Sequence, residues 1–311
     1  MSETKTKKPL KILVIGAHPA DAFDNAGGTC LHHTQQGDSV VAAILTGGAR
    51  LHDVVITDGL RKEKKVPQGD DLKNLLKERS DFKSCEVREA CAIMGIHDVR
   101  FLGRDDKILL VKEQIISDMA FIIRDVRPDI LITHYPFDNG GFADQHAITG
   151  QCALHASWVA NTVDPEDPNL PHRVAQIFFM GFPSHFIKSS AMYREFSGHC
   201  QVYVDVTDVI DLKVKALDKM KSQQYDGDCA WKRVESVEGG AGAAVRVAYA
   251  EPFIVAYSDV HHTLPVSDFR LKTANEHEDK MNERVNFVVS KEGSYQKYRD
   301  RLDTERKKRL G

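Results

Sequence analysis

Short apolar runs alternate with segments of helical period from residue 11 to about residue 182. The runs are rich in β-branched residues and occupy residues 11–17, 39–45, 98–102, 129–134 and 175–182. A strand that is apolar at nearly every position, such as KILVIGA at the first run, is typical of a parallel sheet covered on both faces. The alternation predicts a doubly wound, mostly parallel α/β sheet of the Rossmann-like type. Ligands of such sheets bind beyond the carboxyl ends of the strands.

Helices are predicted between these strands, and one charged segment interrupts the alternation. A helix over residues 85–94 ends before Gly95, and a helix over residues 112–126 ends before Pro128, as glycine and proline commonly follow helix ends. Residues 52–80 are rich in charge, and we interpret them as a surface insertion. Long insertions of this kind are either functional lids or disordered, and composition does not choose between the two.

The last third of the chain predicts further elements of the same domain. Residues 201–206 and residues 253–257 have the composition of two more strands. A helix capped by Asp208 is expected to run to about Gln223. The glycines of residues 239–242 predict a turn.

These elements predict one α/β domain over residues 11–265. A polar tail, residues 1–10, precedes this domain, and a highly charged, helical C-terminal extension, residues 266–311, follows it. We interpret the extension as a solvated helix in preference to a docking arm for a second subunit. A homo-oligomer stays an open possibility.

Composition limits the classes of partner. The chain has 311 residues with 42 Lys and Arg against 45 Asp and Glu, so no global field attracts nucleic acid or an anionic membrane. The first residues are too polar for a signal peptide, and no apolar run approaches the roughly 18 residues of a membrane span. The six cysteines include no C-x-x-C pair, which indicates neither a disulfide framework nor a thiolate zinc site. We expect a cytoplasmic protein with a small-molecule substrate.

Candidate metal ligands follow two of the predicted strands. His18 and Asp21 lie three residues apart, where the first strand turns into a helix, and His146 lies in the loop after the strand DILITH. Both loops lie at carboxyl ends of the sheet, so the three side chains can converge on one crevice. Two imidazoles and a carboxylate leave coordination positions open, which is the layout of catalytic zinc and not of structural zinc.

These motifs resemble the PIG-L/LmbE family of zinc-dependent de-N-acetylases. The family pattern is a strand followed by A-H-P-x-D, small glycines in the next helix and a later T-H…D-x-H, and the similarity extends over roughly residues 11–223. The resemblance implies that His18, Asp21 and His146 bind Zn²⁺ or another divalent metal. It also implies that the catalytic domain hydrolyses an amide of a small polar substrate.

One departure from that family affects the expected chemistry. The usual motif is A-H-P-D-D-E, and this chain has Ala20 in place of the first Asp, which the resemblance makes the general base, and Ala22 in place of the Glu. A methyl group cannot accept a proton, and loss of a general base typically lowers the rate by about 10² to 10⁴. The sequence therefore predicts either another base or another reaction.

Five further residues are candidates for the site. Asp144 can replace the base or hold a ligand imidazole by its second nitrogen. His261 and His262 follow an apolar strand and, by folding back over the site, can also serve as acid or base. By the resemblance, Arg50, which follows T-G-G, and His134 stand where related enzymes contact the substrate.

Three other functions are considered. The variant A-H-x-A-D is similar to that of 4-oxalomesaconate hydratase, so a zinc-dependent hydratase (lyase) acting on an unsaturated keto acid is the alternative to amide hydrolysis. A metal-binding module without catalysis is a second alternative, because Ala20 is consistent with lost chemistry. A dinucleotide-dependent oxidoreductase is disfavoured, because the first turn reads G-A-H-P-A-D and lacks G-x-G-x-x-G.

Overall fold

A seven-stranded sheet organises the part of the chain that the computed structural model describes, residues 8–137, 144–181 and 200–288. In chain order the strands are β1 (Lys11–Gly16), β2 (Ser39–Thr46), β3 (Asp98–Arg104), β4 (Ile130–His134), β5 (Gln176–Met180), β6 (Val202–Asp205) and β7 (Ala250–Val255). Their order in the sheet is β3-β2-β1-β4-β5-β7-β6. The first five strands are parallel to one another, and β7 is antiparallel to both β5 and β6. The predicted doubly wound, mostly parallel sheet is confirmed.

Helices cover both faces of the sheet. They are α1 (Asp21–Gln35), α2 (Leu60–Glu63), α3 (Gly69–Ile93), α4 (Glu113–Val126), α5 (Gln145–Val159), α6 (Ile210–Leu217), α7 (Asp228–Val245), α8 (Asp268–Thr273) and α9 (Glu278–Val285). Ile12 and Val14 of β1 pack in the core with α1, α3, α6 and α7, whereas Leu13 and Ile15 pack in the core with α4 and α5. Both faces of β1 are thus buried, as its apolar run predicts.

The chain order reverses between β1 and β4. From β1 the chain proceeds outward through β2 and β3 on one side, and β4 and β5 extend the sheet on the other side. The loops after β1 and β4 consequently diverge and leave a crevice at the carboxyl edge, which is where ligands of open α/β sheets bind.

The predicted insertion is largely helical. Residues 52–80 contain a π-helical turn (Val55–Gly59), α2 and the first half of α3. Asp53 is fully buried and Ile56 is 9% exposed, so part of this segment belongs to the interior. The interpretation of the whole segment as a surface excursion is therefore corrected.

Two local predictions about the last third of the chain are wrong. The helix expected to run to Gln223 ends at Leu217, with a separate 3₁₀ turn at Lys221–Gln223, and Asp208 accepts a hydrogen bond from His32 in place of capping the helix. Gly239 and Gly242 lie inside α7, not in a turn. A Cβ atom on Gly242 would lie 2.6 Å from the carbonyl oxygen of Ala248, so close packing against the following chain accounts for this glycine.

The proposed domain limits stay a prediction. In the extension, residues 266–288 contain the short helices α8 and α9, while residues 289–311 lie outside the described part, as do residues 1–7 of the tail and Phe182 at the end of the fifth predicted strand. None of the helices in the described ranges is long and apolar enough to cross a membrane.

A buried carboxylate divides α1 into two segments. Ala26 has non-helical dihedral angles (φ −139°, ψ 15°), and the backbone N–H groups of Gly28 and Thr29 donate to the carboxylate of Glu251 at 2.8 and 2.7 Å. Glu251 belongs to β7 and is fully buried. It acts as an N-terminal cap for the second segment, because it satisfies two donors that the break leaves without helical partners.

One lysine bridges this cap and a second carboxylate. The Nζ atom of Lys213 donates to Glu251 and to Glu238 at 2.6 Å each, and all three side chains are at most 3% exposed. With two carboxylates and one ammonium, the cluster carries an uncompensated negative charge unless it retains a proton. Burial together with Glu251 raises the pKa of Glu238 to about 7, although Lys213 opposes the shift.

The raised pKa of Glu238 predicts a pH-dependent stability. The folded-state pKa of Glu238 lies above the usual value of 4.5. The contribution of Glu238 to the free energy of unfolding is therefore fully present below pH 4.5 and is lost as the pH rises through about 7. Between pH 5 and pH 8, we expect the free energy of unfolding of the wild type to fall relative to that of Glu238→Gln by on the order of 1–3 kcal/mol. Urea titrations measure this difference. Glu89→Gln, at an exposed glutamate, is the control, and parallel wild-type and Glu238→Gln curves would contradict the prediction.

Candidate metal centre

The three predicted ligands converge at the carboxyl ends of β1 and β4. His18 and Asp21 lie in the turn that joins β1 to α1, where the backbone N–H of His18 donates to Asp21 Oδ2 at 2.6 Å. His146 lies in the first turn of α5, and the carboxylate of Asp144 caps that helix by accepting from the backbone N–H of His146 at 2.8 Å. The side chains thus reach the crevice from two neighbouring parallel strands.

The donor atoms form a triangle with the dimensions of a metal site. His18 Nδ1 lies 3.2 Å from His146 Nε2 and 3.4 Å from Asp21 Oδ2, and the third edge, between His146 Nε2 and Asp21 Oδ2, is 3.6 Å. Ligands bound tetrahedrally to zinc at 2.0–2.1 Å are about 3.3 Å apart. The side chains of His18 and Asp21 are 4% and 11% exposed, whereas that of His146 is 32% exposed. The residues present therefore fit a divalent metal, with the open side of the site next to His146.

Gln145 fixes the ring orientation of His18. The side-chain nitrogen of Gln145 donates to the backbone carbonyl oxygen of Asp106 at 2.6 Å, so its Oε1 must be the atom 2.7 Å from His18 Nε2. Since Oε1 only accepts, His18 carries its hydrogen on Nε2 and presents the lone pair of Nδ1 to the metal position. Sequence reasoning missed this role, although Gln145 directly precedes a proposed ligand.

His134 supports the ligand carboxylate. Its Nε2 lies 3.1 Å from Asp21 Oδ2, and its ring stacks on that of His146 with centroids 4.4 Å apart. Burial acts to raise the pKa of Asp21, but the imidazoles of His146 and His134 more than offset it, so this pKa lies well below its usual range. His134 is 1% exposed and lies against the ligand carboxylate, and its predicted substrate contact stays a prediction.

Asp144 and Arg50 lie around the centre. Asp144 Oδ1 is 3.6 Å from Nδ1 of His146, behind the nitrogen that faces the metal position, and its side chain is 31% exposed. Arg50 forms a two-pronged ion pair with Asp105 at 2.7 and 2.9 Å. Arg50 also lines a cleft of about 500 Å³ between α3 and the ends of β2 and β3, which includes none of the three metal ligands.

His261 and His262 are not brought to the centre. Both are exposed in the chain that follows β7. Because β7 is antiparallel to β5, it ends near the start of β5, where the backbone N–H of Ala256 donates to the carbonyl oxygen of Ile177. This is the amino edge of the parallel strands, opposite the crevice.

His52 is a neighbour of the centre that sequence reasoning also missed. Its ring meets that of His18 edge-on, with centroids 4.4 Å apart and an interplanar angle of 70°. His52 lies six residues beyond β2, inside the charged segment, and no motif marks it. Ala20, in contrast, is 3% exposed and packs in the apolar core, so the position of the usual base carries only a methyl group.

Comparisons with known proteins find a similar family and similar enzymes. Residues 13–157 match the PIG-L family, described as GlcNAc-PI de-N-acetylase. The 1D-myo-inositol 2-acetamido-2-deoxy-alpha-D-glucopyranoside deacetylase of Thermobifida fusca (strain YX) is 23% identical over 260 residues, which cover 76% of this chain and 84% of that protein. Residues 13–157 are therefore similar to the PIG-L family, and the curated proteins that the chain resembles include deacetylases.

Two solved structures share the fold. The 4-carboxy-2-hydroxymuconate hydratase from Pseudomonas putida KT2440 superposes with a TM-score of 0.64 at 19% identity, over 82% of this chain and 100% of that chain. The N,N'-diacetylchitobiose deacetylase from Pyrococcus horikoshii superposes with a TM-score of 0.62 at 19% identity, over 84% of this chain and 89% of that chain. At this identity the similarity shows the fold, which one hydratase and one deacetylase have in common.

We predict one zinc ion per chain. His146→Ala should lose zinc, and Gln145→Leu should weaken zinc binding by about 10- to 100-fold, because His18 is then free to adopt another ring orientation. Elemental analysis and calorimetric titration with Zn²⁺ measure both effects, with Gln114→Leu on α4 as the matched control. Full zinc content in His146→Ala would contradict the ligand assignment.

Proposed function

We propose that the protein is a zinc-dependent hydrolase that removes an acyl group from the nitrogen of a small polar substrate. The triangle of two imidazole nitrogens and one carboxylate oxygen, open next to His146, carries this proposal. Three protein ligands and an open side are the arrangement of hydrolytic zinc sites. The relatives named as deacetylases support an N-acyl substrate.

The residues of the centre have separate roles in the proposed reaction. A bound zinc ion supplies Lewis acidity toward the substrate carbonyl and lets water act as a nucleophile near neutral pH. Gln145 holds His18 in the ligating tautomer, and His134 holds the carboxylate of Asp21. Asp144 lies beside Nδ1 of His146 and favours the ring orientation in which Nε2 of His146 faces the metal position.

Proton transfer needs a group other than residue 20. Of the three predicted replacements, His261 and His262 lie at the opposite edge of the sheet, while Asp144 lies beside the centre and is 31% exposed. We therefore retain Asp144 as the proposed proton acceptor.

The methyl group of Ala20 favours a second candidate, a hydratase acting on an unsaturated keto acid. Water addition to a carbon–carbon double bond also uses a metal to polarise a carbonyl or carboxylate, but the substrate differs and no amide is broken. The fold does not separate the two reactions. A non-catalytic metal-binding module is the third candidate, and turnover on either substrate class would exclude it.

Substitution of Ala20 separates the candidates. If the protein is a deacylase without its usual base, Ala20→Asp should raise chelator-sensitive release of acetate from N-acetylglucosamine derivatives, by as much as 10²-fold or more. Ala20→Asn has nearly the same shape without basicity and should give no gain. Acetate release and zinc content are measured for all three proteins.

Assays on an unsaturated keto acid complete the test. If the protein is a hydratase, the wild type should consume 4-carboxy-2-hydroxymuconate, and Ala20→Asp should be slower because it adds negative charge beside Asp21. Loss of the substrate's ultraviolet absorbance measures this reaction. Hydration by the wild type without any acetate release would refute the proposed hydrolase.

A further inference from the structure

An exposed histidine adjoins the metal centre without being one of its ligands. The ring of His52 meets the edge of the His18 ring, and no hydrogen-bond partner for its nitrogens is found among residues 8–137, 144–181 and 200–288. Both nitrogens of His18 are already engaged, Nε2 with Gln145 and Nδ1 toward the metal position. With respect to the described part of the chain, His52 therefore has ring nitrogens available to another molecule at the edge of the centre.

The backbone before His52 is held by a buried carboxylate. Asp106, which follows β3, is 2% exposed. Its carboxylate accepts from the backbone N–H groups of Arg50 and Leu51 at 3.0 and 2.9 Å. The carbonyl oxygen of Asp106 also accepts from Gln145, so the residue that orients His18 and the loop that carries His52 share one support.

The backbone at and after His52 is held by two more buried groups. Lys83 is fully buried, and its Nζ donates to the carbonyl oxygen of His52 at 2.8 Å. Asp53 is also fully buried, accepts from the backbone N–H of Val55 at 2.9 Å and pairs with Arg79 at 2.9 Å. Burial lowers the pKa of Lys83 to about 8, which shows that the interior disfavours this ammonium.

Buried charges on both sides of one exposed residue call for a functional explanation. Surface loops are ordinarily mobile, and charges taken out of water are costly unless they are well paired. Here three such groups fix the backbone around His52, and the side chain they fix lies against a metal ligand. The neighbouring side chain of Leu51 is 50% exposed.

We propose that His52 is a substrate-contacting residue that hydrogen bonds a polar atom of the substrate next to its reacting group, over the edge of the metal centre. This proposal rests on the proposed function only in that a substrate binds at the open side of the metal. Asp106, Lys83 and Asp53 are the positioning residues that hold His52 in place.

Binding of acetohydroxamate to the zinc-loaded protein tests the contact without requiring turnover. This probe chelates zinc and presents an acetyl group beside it. In calorimetric titrations we expect His52→Ala to bind the probe about tenfold more weakly than the wild type, which is the effect of one hydrogen bond. His52→Gln, which keeps a donor and an acceptor, should recover most of the affinity. Leu51→Ala, on the same loop, should match the wild type.

Zinc affinity distinguishes a substrate contact from a metal ligand. We expect His52→Ala to bind Zn²⁺ within threefold of the wild type. Lys83→Met should weaken acetohydroxamate binding in the same direction as His52→Ala, with zinc content and a cooperative thermal transition retained.

Three results would overturn the proposal. The first is equal acetohydroxamate affinity of His52→Ala and the wild type. The second is a loss of zinc affinity beyond tenfold in His52→Ala, and the third is no binding of the probe to the zinc-loaded wild type. A wild type that binds the probe but releases no acetate from any N-acetyl substrate would refute the proposed function and leave the role of His52 standing.

Discussion

The arrangement of the site depends on one buried carboxylate oxygen. Oδ2 of Asp21 accepts from the backbone N–H of His18 at 2.6 Å, lies 3.1 Å from a ring nitrogen of His134 and lies within 3.6 Å of the ring nitrogens of both candidate histidine ligands, His18 and His146. A buried anion requires such donors or a cation. Because the start of α1, just after β1, supplies the carboxylate, and β4 and the following helix α5 supply the imidazoles of His134 and His146, the divergence of the chain at these two strands creates the centre.

Strands beyond that pair contribute through the loops at the same edge. Asp106, which follows β3, holds the backbone of the loop after β2 with its carboxylate and holds Gln145 with its carbonyl oxygen. Four adjacent parallel strands are thereby connected by hydrogen bonds at their carboxyl ends. The buried cluster of Glu251 and Lys213 acts at a greater distance, since it supports α1 about two turns beyond the ligand carboxylate.

The sequence predicts the sheet and the ligand set because both depend on local patterns. Apolar runs place all five parallel strands within two residues of their observed ends, and the positions of the candidate ligands after two of these strands predict that they meet at one edge of the sheet, where the structure brings them together. Periodicity identifies a strand but not its direction. The sequence therefore could not predict that β7 is antiparallel, which carries His261 to the edge of the sheet opposite the centre. The sequence did not indicate His52 either, because the buried residues that hold its backbone in place are distant in the chain.

The identity of Gln145 fits two demands that a carboxamide meets together. The carbonyl oxygen of Asp106 requires a donor, and Nε2–H of His18 requires an acceptor. A carboxylate at this position would satisfy His18 but repel the carbonyl oxygen, and an ammonium would do the reverse. The amide thus ties the ring orientation of a metal ligand to the loop after β3. That same loop supports the backbone before His52, so the metal-binding and substrate-facing sides of the site are built as one hydrogen-bonded unit.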